Sequence, residues 1–178
     1  ILIPSSANVY GNRVEGSLSE SAAMDPANDY GVTKVAVEHI ARLYSQDLPI
    51  IITRPFNYTG VGQSDSFLVP KIVNALKRKD AVIELGNLDV ERDFSDVRTL
   101  VEAYIRLLNS PDAAGQTFNV SSGKTVALRN IIEDAMRLAD HRIEVRVNPA
   151  FVRANEIRTL CGDCSKLTSV VGPLPPID

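Results

Sequence analysis

The chain has no tryptophan, and only two cysteines, two methionines and two histidines among its 178 residues. Cys161 and Cys164 form one C-x-x-C, but His39 and His141 lie far from it in sequence. A tetrahedral metal site needs more ligands than that, so no metal is expected and the cysteines are read as small, half-buried packing residues. Long apolar runs are missing too. A membrane span needs ~20 apolar residues, and the opening Ile1-Leu2-Ile3 has neither the length nor the charged flank of a signal sequence. No membrane segment and a cytoplasmic location are expected. A basic excess is also lacking, because 19 Lys and Arg oppose 22 Asp and Glu for a formal charge of −3. A phosphate backbone needs a positive footprint, so nucleic acid is not the expected partner. Finally, neither G-x-G-x-x-G nor G-x-x-G-x-x-G occurs.

What is present is ordinary globular usage, 44% apolar and 23% charged. The strand-like ILIP begins at once, without Met or a preceding turn, which leads to the expectation of a chain opened in mid-domain. After a polar loop, Val32, Val35, Ala36, Ile40 and Leu43 recur at spacings of three and four and predict an amphipathic helix from Asp29 to Gln46. The β-branched run Ile50-Ile51-Ile52-Thr53 predicts a strand buried in a parallel sheet. A helix follows from about Ser66 to Lys79 with Pro70 in its first turn, then strands near 82–85 and 90–94. Asp96 is placed to cap a helix whose apolar face is Leu100, Val101, Tyr104, Leu107 and Leu108. Residues 116–120 and 143–147 read as strands around a helix over 127–139. Alternating helices and β-branched strands predict an α/β fold.

The chemistry concentrates in Tyr30-Gly31-Val32-Thr33-Lys34. Residues four apart share a helix face, so the Lys34 ammonium can stand beside the Tyr30 phenol, favour its phenolate and make it a proton shuttle near neutrality. Lys34 can also reach a ribose hydroxyl. The spacing alone is weak, since chance supplies about 0.2 such matches in a chain of this composition. Corroboration comes from Ser5-Ser6-Ala7-Asn8-Val9-Tyr10-Gly11, which puts a hydroxyl just after a strand, where an α/β sheet opens to its ligand.

With these residues the chain resembles the extended short-chain dehydrogenase/reductase superfamily, the NAD-dependent epimerase/dehydratase group. The string Arg54-Pro55-Phe56-Asn57-Tyr58-Thr59-Gly60-Val61-Gly62-Gln63 is similar to that family's junction into the substrate domain. The stretch from Asn87 to Arg98, N-L-D-V-E-R-D-F-S-D-V-R, is similar to the branch acting on GDP-mannose derivatives. The resemblance implies the C-terminal part of a Rossmann-type doubly wound parallel sheet plus a small α/β substrate-binding domain. Residues 1–58 would be the remnant of the dinucleotide-binding domain. Residues 59–178 would be mainly substrate domain, with 96–121 returning to the Rossmann sheet.

It further implies Ser6, Tyr30 and Lys34 as catalytic residues, and Tyr30, Lys34 and Phe56 at an NADPH or NADH whose remaining contacts need an N-terminal half. Phe56 is equally read as a packing residue. Asn57, Lys71, Arg92, Arg153 and Glu156 fall on positions that hold the nucleoside diphosphate of a GDP-sugar, with Glu156 on the guanine edge. Dehydratases of the branch carry an acid two places after the serine or threonine, whereas this chain has Asn8, which does not titrate. A reductase of the C4 ketone of GDP-4-keto-6-deoxy-D-mannose, forming GDP-D-rhamnose, is therefore expected. A 4-epimerase or 4,6-dehydratase of the same family stays open, as does a non-catalytic fragment. The helices from Asp29 and Asp96 are candidates for the four-helix interface of a homodimer.

A pyrophosphate needs a nest of backbone N–H groups at a helix N-terminus, and this sequence lacks the glycine-rich turn that builds one. Calorimetric titration of residues 1–178 alone with NADPH is expected to detect no micromolar binding; a micromolar isotherm would contradict this expectation.

Overall fold

The computed structural model describes residues 1–12, 16–152 and 158–175. In chain order the elements are β1 (Leu2–Pro4), a 3₁₀ turn (Ala7–Tyr10), β2 (Ser17–Leu18), α1 (Asp29–Leu43), β3 (Ile51–Pro55), β4 (Asn57–Thr59), α2 (Leu68–Arg78), β5 (Val82–Leu85), β6 (Glu91–Asp96) and α3 (Val97–Leu108). They continue through β7 (Thr117–Val120), β8 (Thr125–Ala127), α4 (Leu128–Ala139), β9 (Glu144–Val147), β10 (Thr159–Gly162) and α5 (Ser165–Val171). The result is an α/β fold with parallel sheets. One sheet has the order β1-β3-β7, all parallel, and β3 is buried at every residue. A second runs β2-β10-β6-β4, with β8 antiparallel on β6. The third is the parallel pair β5-β9, packed against Ile72 and Leu76 of α2 and Leu128 and Ile132 of α4.

Local chemistry starts the helices where expected. Asn28 caps α1 by accepting from the Gly31 amide at 2.8 Å, and Asp96 caps α3 by accepting from the Arg98 amide at 2.7 Å. Hydrogen bonds from the Arg98 side chain and backbone hold the Asp96 carboxyl down at about 2, so the cap stays charged. Four strands and a helix were not foreseen. β2, β4, β8 and β10 are too short or too mixed in composition to show a period, and α5 has only 7 residues, too few to establish one.

Successive side chains of a strand face opposite ways, and β3 uses both faces. Ile51 packs with Phe118, Val120, the α3 residues Leu100, Ala103 and Leu107, and Leu167 of α5. Ile50 and Ile52 pack with Ala41 of α1. Helices α1 and α3 therefore cover opposite faces of the sheet, which corrects the expectation that both build one dimer interface. The inward face of α1 is a second correction. Val32, Ile40 and Leu43 are 53%, 56% and 77% exposed, whereas Glu38 is 0% exposed. The periodicity misassigns the face because a buried ion pair, not an apolar stripe, fills the contact. On α3 likewise, Val101 and Leu108 turn outward and Ala103 takes the inner position.

That ion pair centres on Arg54, 2% exposed in β3, which uses all five of its N–H donors. Nε and Nη2 donate to the two oxygens of Glu38 at 2.8 and 2.7 Å. Nη1 reaches the Tyr10 hydroxyl at 3.0 Å and the Glu20 carbonyl at 3.2 Å, and Nη2 also meets Met24 Sδ at 3.3 Å. Tyr10 in turn donates to Asn119 Oδ1 at 2.6 Å. One guanidinium thus joins α1, the 3₁₀ turn and the loop after β2, and through Tyr10 it reaches β7.

Burial pushes the Glu38 carboxyl up, but hydrogen bonds from Arg54, with the attraction of Arg54 and Arg42, outweigh it and leave its pKa below the usual range. A depressed folded-state pKa contributes stability that is complete above the unfolded value of ~4.3 and is lost as pH falls through the lower folded value. Glu38→Gln, which leaves a buried guanidinium without its counter-charge, is expected to cost about 3–5 kcal/mol at neutral pH. The urea-unfolding gap between wild type and variant should begin to narrow as pH falls below the unfolded value of ~4.3 and close only below the folded-state pKa; a gap that does not narrow at all would show that the carboxylate's charge is not the source.

Candidate active site

The ladder of the first sheet continues one residue beyond β1, with the Ser5 amide donating to the Thr53 carbonyl at 2.7 Å. Ser6 then leaves the strand and caps the 3₁₀ turn. Its Oγ accepts from the Asn8 amide at 3.2 Å and from Asn8 Nδ2 at 3.1 Å. The first turn of α1 rests on this segment so closely that a β-carbon on Gly31 would lie 2.7 Å from the Asn8 carbonyl oxygen. Only glycine fits there. The contact sets where α1 begins relative to the end of β1.

From that start, Tyr30 stands 53% exposed and Lys34 projects one turn on. Lys34 Nζ donates to the Pro4 carbonyl at 2.9 Å, at the last residue of β1, and lies 5.7 Å from the centroid of the Tyr30 ring. Ser6, Tyr30 and Lys34 are thereby gathered around the carboxyl end of one parallel strand. Burial raises the Tyr104 phenol on α3. Phe56 packs inward with Ala7, Val9 and Tyr10. It is 4% exposed, its ring centroid is 6.3 Å from that of Tyr10, and a β-carbon on Gly162 would come within 2.6 Å of it.

Of the residues assigned to the nucleotide half, Asn57 and Arg92 lie on the second sheet and Lys71 on α2. Asn57 Nδ2 donates to the Asp93 carbonyl at 3.2 Å, and the β4–β6 pairing puts Asn57 on the same sheet as Arg92. Arg92 Nη1 donates to the Glu91 carbonyl at 2.8 Å. Lys71 on α2 donates to the Glu84 carbonyl at 2.8 Å and covers the Phe151 ring at 4.8 Å. Arg153 and Glu156 lie outside the described residues, and Phe151 brings Lys71 to the edge of that segment.

Asp93 was missed as anything but a letter in its motif. It is 0% exposed, and its carboxylate accepts from the Ser122 amide at 2.8 Å, Ser122 Oγ at 2.7 Å, the Gly123 amide at 3.0 Å and the Gly162 amide at 3.2 Å. This knot fastens the loop after β7 to β6 and β10. The available signal was an acid between Arg92 and Phe94, on the inward phase of a strand. Cys161 adjoins it, with Sγ 3.9 Å from Asp93 Oδ2, and burial first and Asp93 second push its thiol up. Both cysteines are free and half-buried. Among the described residues there is no cluster of His, Cys, Asp and Glu suited to a metal, and no helix long and apolar enough to cross a membrane.

The sequence model of the family described as GDP-mannose 4,6 dehydratase matches residues 1–175. Over 97% of its length the chain is 38% identical to the GDP-6-deoxy-D-talose 4-dehydrogenase of Aggregatibacter actinomycetemcomitans. It is 34% identical over 97% to the GDP-6-deoxy-D-mannose reductase of Pseudomonas aeruginosa. The chain spans 58% and 60% of these two curated relatives. Among solved structures it is similar to a Burkholderia cenocepacia J2315 protein provisionally assigned as an epimerase, at 50% identity and a TM-score of 0.94, covering 98% of this chain and 57% of that one. It is also similar to RMD from Pseudomonas aeruginosa complexed with NADPH, at 32% identity and a TM-score of 0.91, covering 99% and 61%.

Replacing Asp93 by Ala leaves the buried amide of Gly162 and the part-buried amides of Ser122 and Gly123 without their acceptor. We expect a loss on the order of 3 kcal/mol or more in urea unfolding, because bonds to a charged group exceed those between neutral ones. A change under about 1 kcal/mol, the scale of one ordinary hydrogen bond, would mean that water replaces the carboxylate.

Proposed function

Because the chain belongs to the GDP-mannose 4,6 dehydratase family of nucleotide-sugar oxidoreductases, we propose that the protein carrying it reduces the C4 ketone of GDP-4-keto-6-deoxy-D-mannose to GDP-D-rhamnose with NADPH or NADH. The observation that carries this reading is the Lys34 ammonium bound at the end of β1 beside the Tyr30 ring, one residue pair from Ser6. Asn8 supports reduction over dehydration, since its amide cannot remove a proton from carbon. The names of the two curated relatives, both acting on GDP-6-deoxy sugars, support the substrate class.

In this mechanism Ser6 holds the ketone oxygen, Tyr30 donates a proton to it as it gains negative charge, and Lys34 keeps the phenol oriented. A reduced nicotinamide, when bound, supplies the hydride. Lys34 fits its ribose end, because the ammonium has three donors and the Pro4 carbonyl takes one. Asn57, Lys71 and Arg92 hold the diphosphate half of the substrate together with Arg153, and Glu156 reads guanine. The exposed α1 stripe of Val32, Ile40 and Leu43 supports a homodimer through that face alone.

A second reading has the hydride delivered to the other face of C4, giving the talose epimer; the 38% identity to a GDP-6-deoxy-D-talose 4-dehydrogenase favours it. Incubating the whole protein with GDP-4-keto-6-deoxy-D-mannose and NADPH or NADH decides. Stoichiometric loss of reduced-cofactor absorbance is expected, and the H4 coupling in the proton spectrum distinguishes rhamnose from talose. No cofactor consumption rejects reduction, and interconversion of GDP-sugars without net consumption identifies an epimerase. Tyr30→Phe should lower kcat by about 10²–10⁴-fold with little change in KM.

A further inference from the structure

Hydrogen-bond accounting at Ser6 assigns a role to a residue outside the Ser, Tyr and Lys set. A serine hydroxyl has two acceptor lone pairs and one proton. Ser6 Oγ accepts twice, from the main-chain and side-chain N–H groups of Asn8, at 3.2 and 3.1 Å. Among the described residues no acceptor takes its proton. The neighbouring Ser5 differs in that its buried hydroxyl accepts from no N–H group among the described residues.

Resting on the reductase reading, we propose that Asn8 is a positioning residue that occupies both lone pairs of Ser6 Oγ, so that Ser6 can meet the substrate's C4 oxygen only as a donor. The turn bearing Asn8 is anchored beyond it by Tyr10, which bonds Asn119 and Arg54, and abutted from the side by Gly31. In the step itself the hydride adds to C4 and the proton comes from Tyr30. Ser6 and Asn8 transfer nothing. A carboxylate in place of the Asn8 amide would accept the Ser6 proton and reverse the bond, which removes the donor that a ketone needs. The residue at this place therefore sets whether the serine serves direct reduction.

The test uses Asn8→Asp, Asn8→Ala, Ser6→Ala and the double variant S6A/N8D in the whole protein. Losing one donor to a developing oxyanion typically costs ~10²–10³-fold in kcat, so N8D is expected to fall by about 10²-fold at neutral pH with KM nearly unchanged. Its kcat should recover toward acid, because a protonated carboxyl can again donate to Ser6. The ionisable groups on the turn and on the elements packed against it are Tyr10, Glu20, Asp25, Asp29, Tyr30, Lys34, Glu38, His39, Arg42 and Arg54. Wild type shares them, so its own pH profile subtracts their effect. N8A should lose less than N8D, and N8D should add nothing in the S6A background. A loss that is flat with pH, or one that adds to S6A, overturns the proposal.

A readout independent of turnover is solvent exchange of the Asn8 side-chain amide protons by NMR. S6A should speed it at least about tenfold, the effect of ~1.4 kcal/mol of lost protection, and an unchanged rate overturns the proposal. A wild type that consumes no reduced cofactor rejects the reductase reading instead, and the exchange rates then decide the Ser6–Asn8 pairing alone.

Discussion

The buried guanidinium of Arg54 is the constraint on which the arrangement depends. A cation in the middle of an otherwise apolar strand is costly to desolvate, and only near-complete pairing offsets that cost. Arg54 finds a partner for every donor, two of them on Glu38 of α1 and one on Tyr10 of the 3₁₀ turn. A lysine has a compact ammonium and could not span this set. Sliding α1 by one turn would displace Glu38 by about 5.4 Å and strand the charge. The same slide would carry Lys34 off the Pro4 carbonyl. The ion pair that holds the helix is thus also what keeps a phenol and an ammonium at the end of β1.

Asp93 plays the complementary part on the far side of Phe56. It gathers amides from the loop after β7 and from β10 into the strand β6, and its own carbonyl takes the Asn57 side chain. Arg54 and Asn57 are three residues apart along one nearly continuous strand pair. The chain therefore passes directly from the cationic knot under the Ser, Tyr and Lys cluster to the anionic knot beside Asn57 and Arg92. The ring of Phe56 fills the space between them. Its burial follows from that position, and it explains why a residue so near the opening packs inward.

Much of this was legible in the sequence, for identifiable reasons. The run Ile50–Thr53 reads as a central strand because β-branched apolar residues on both phases have no other stable place. Asp96 marks a helix start because its side chain satisfies an amide that the helix cannot. The Tyr30–Lys34 spacing needs nothing but helix geometry. The inner face of α1 was not legible, since hydrophobic periodicity sees Val32, Ile40 and Leu43 and cannot see that Glu38 has an arginine waiting sixteen residues later. Asp93 escaped for the same reason. Its partners are main-chain amides, which every sequence has, brought together only by the packing of β6, β7 and β10.

The direction of a hydrogen bond is a further layer that neither composition nor spacing records. Asn8 differs from a carboxylate by one atom, and in the sequence it matters only as a residue that does not titrate. In the folded chain its distances to Ser6 Oγ give it a positive consequence, because two N–H groups on one oxygen leave that oxygen nothing to offer except a proton. The backbone of the turn would be the same with either residue. What changes is the sense in which a fixed hydroxyl faces its ligand. Chains that share this fold at high structural similarity can therefore differ in chemistry at a single side chain that never touches the reacting carbon.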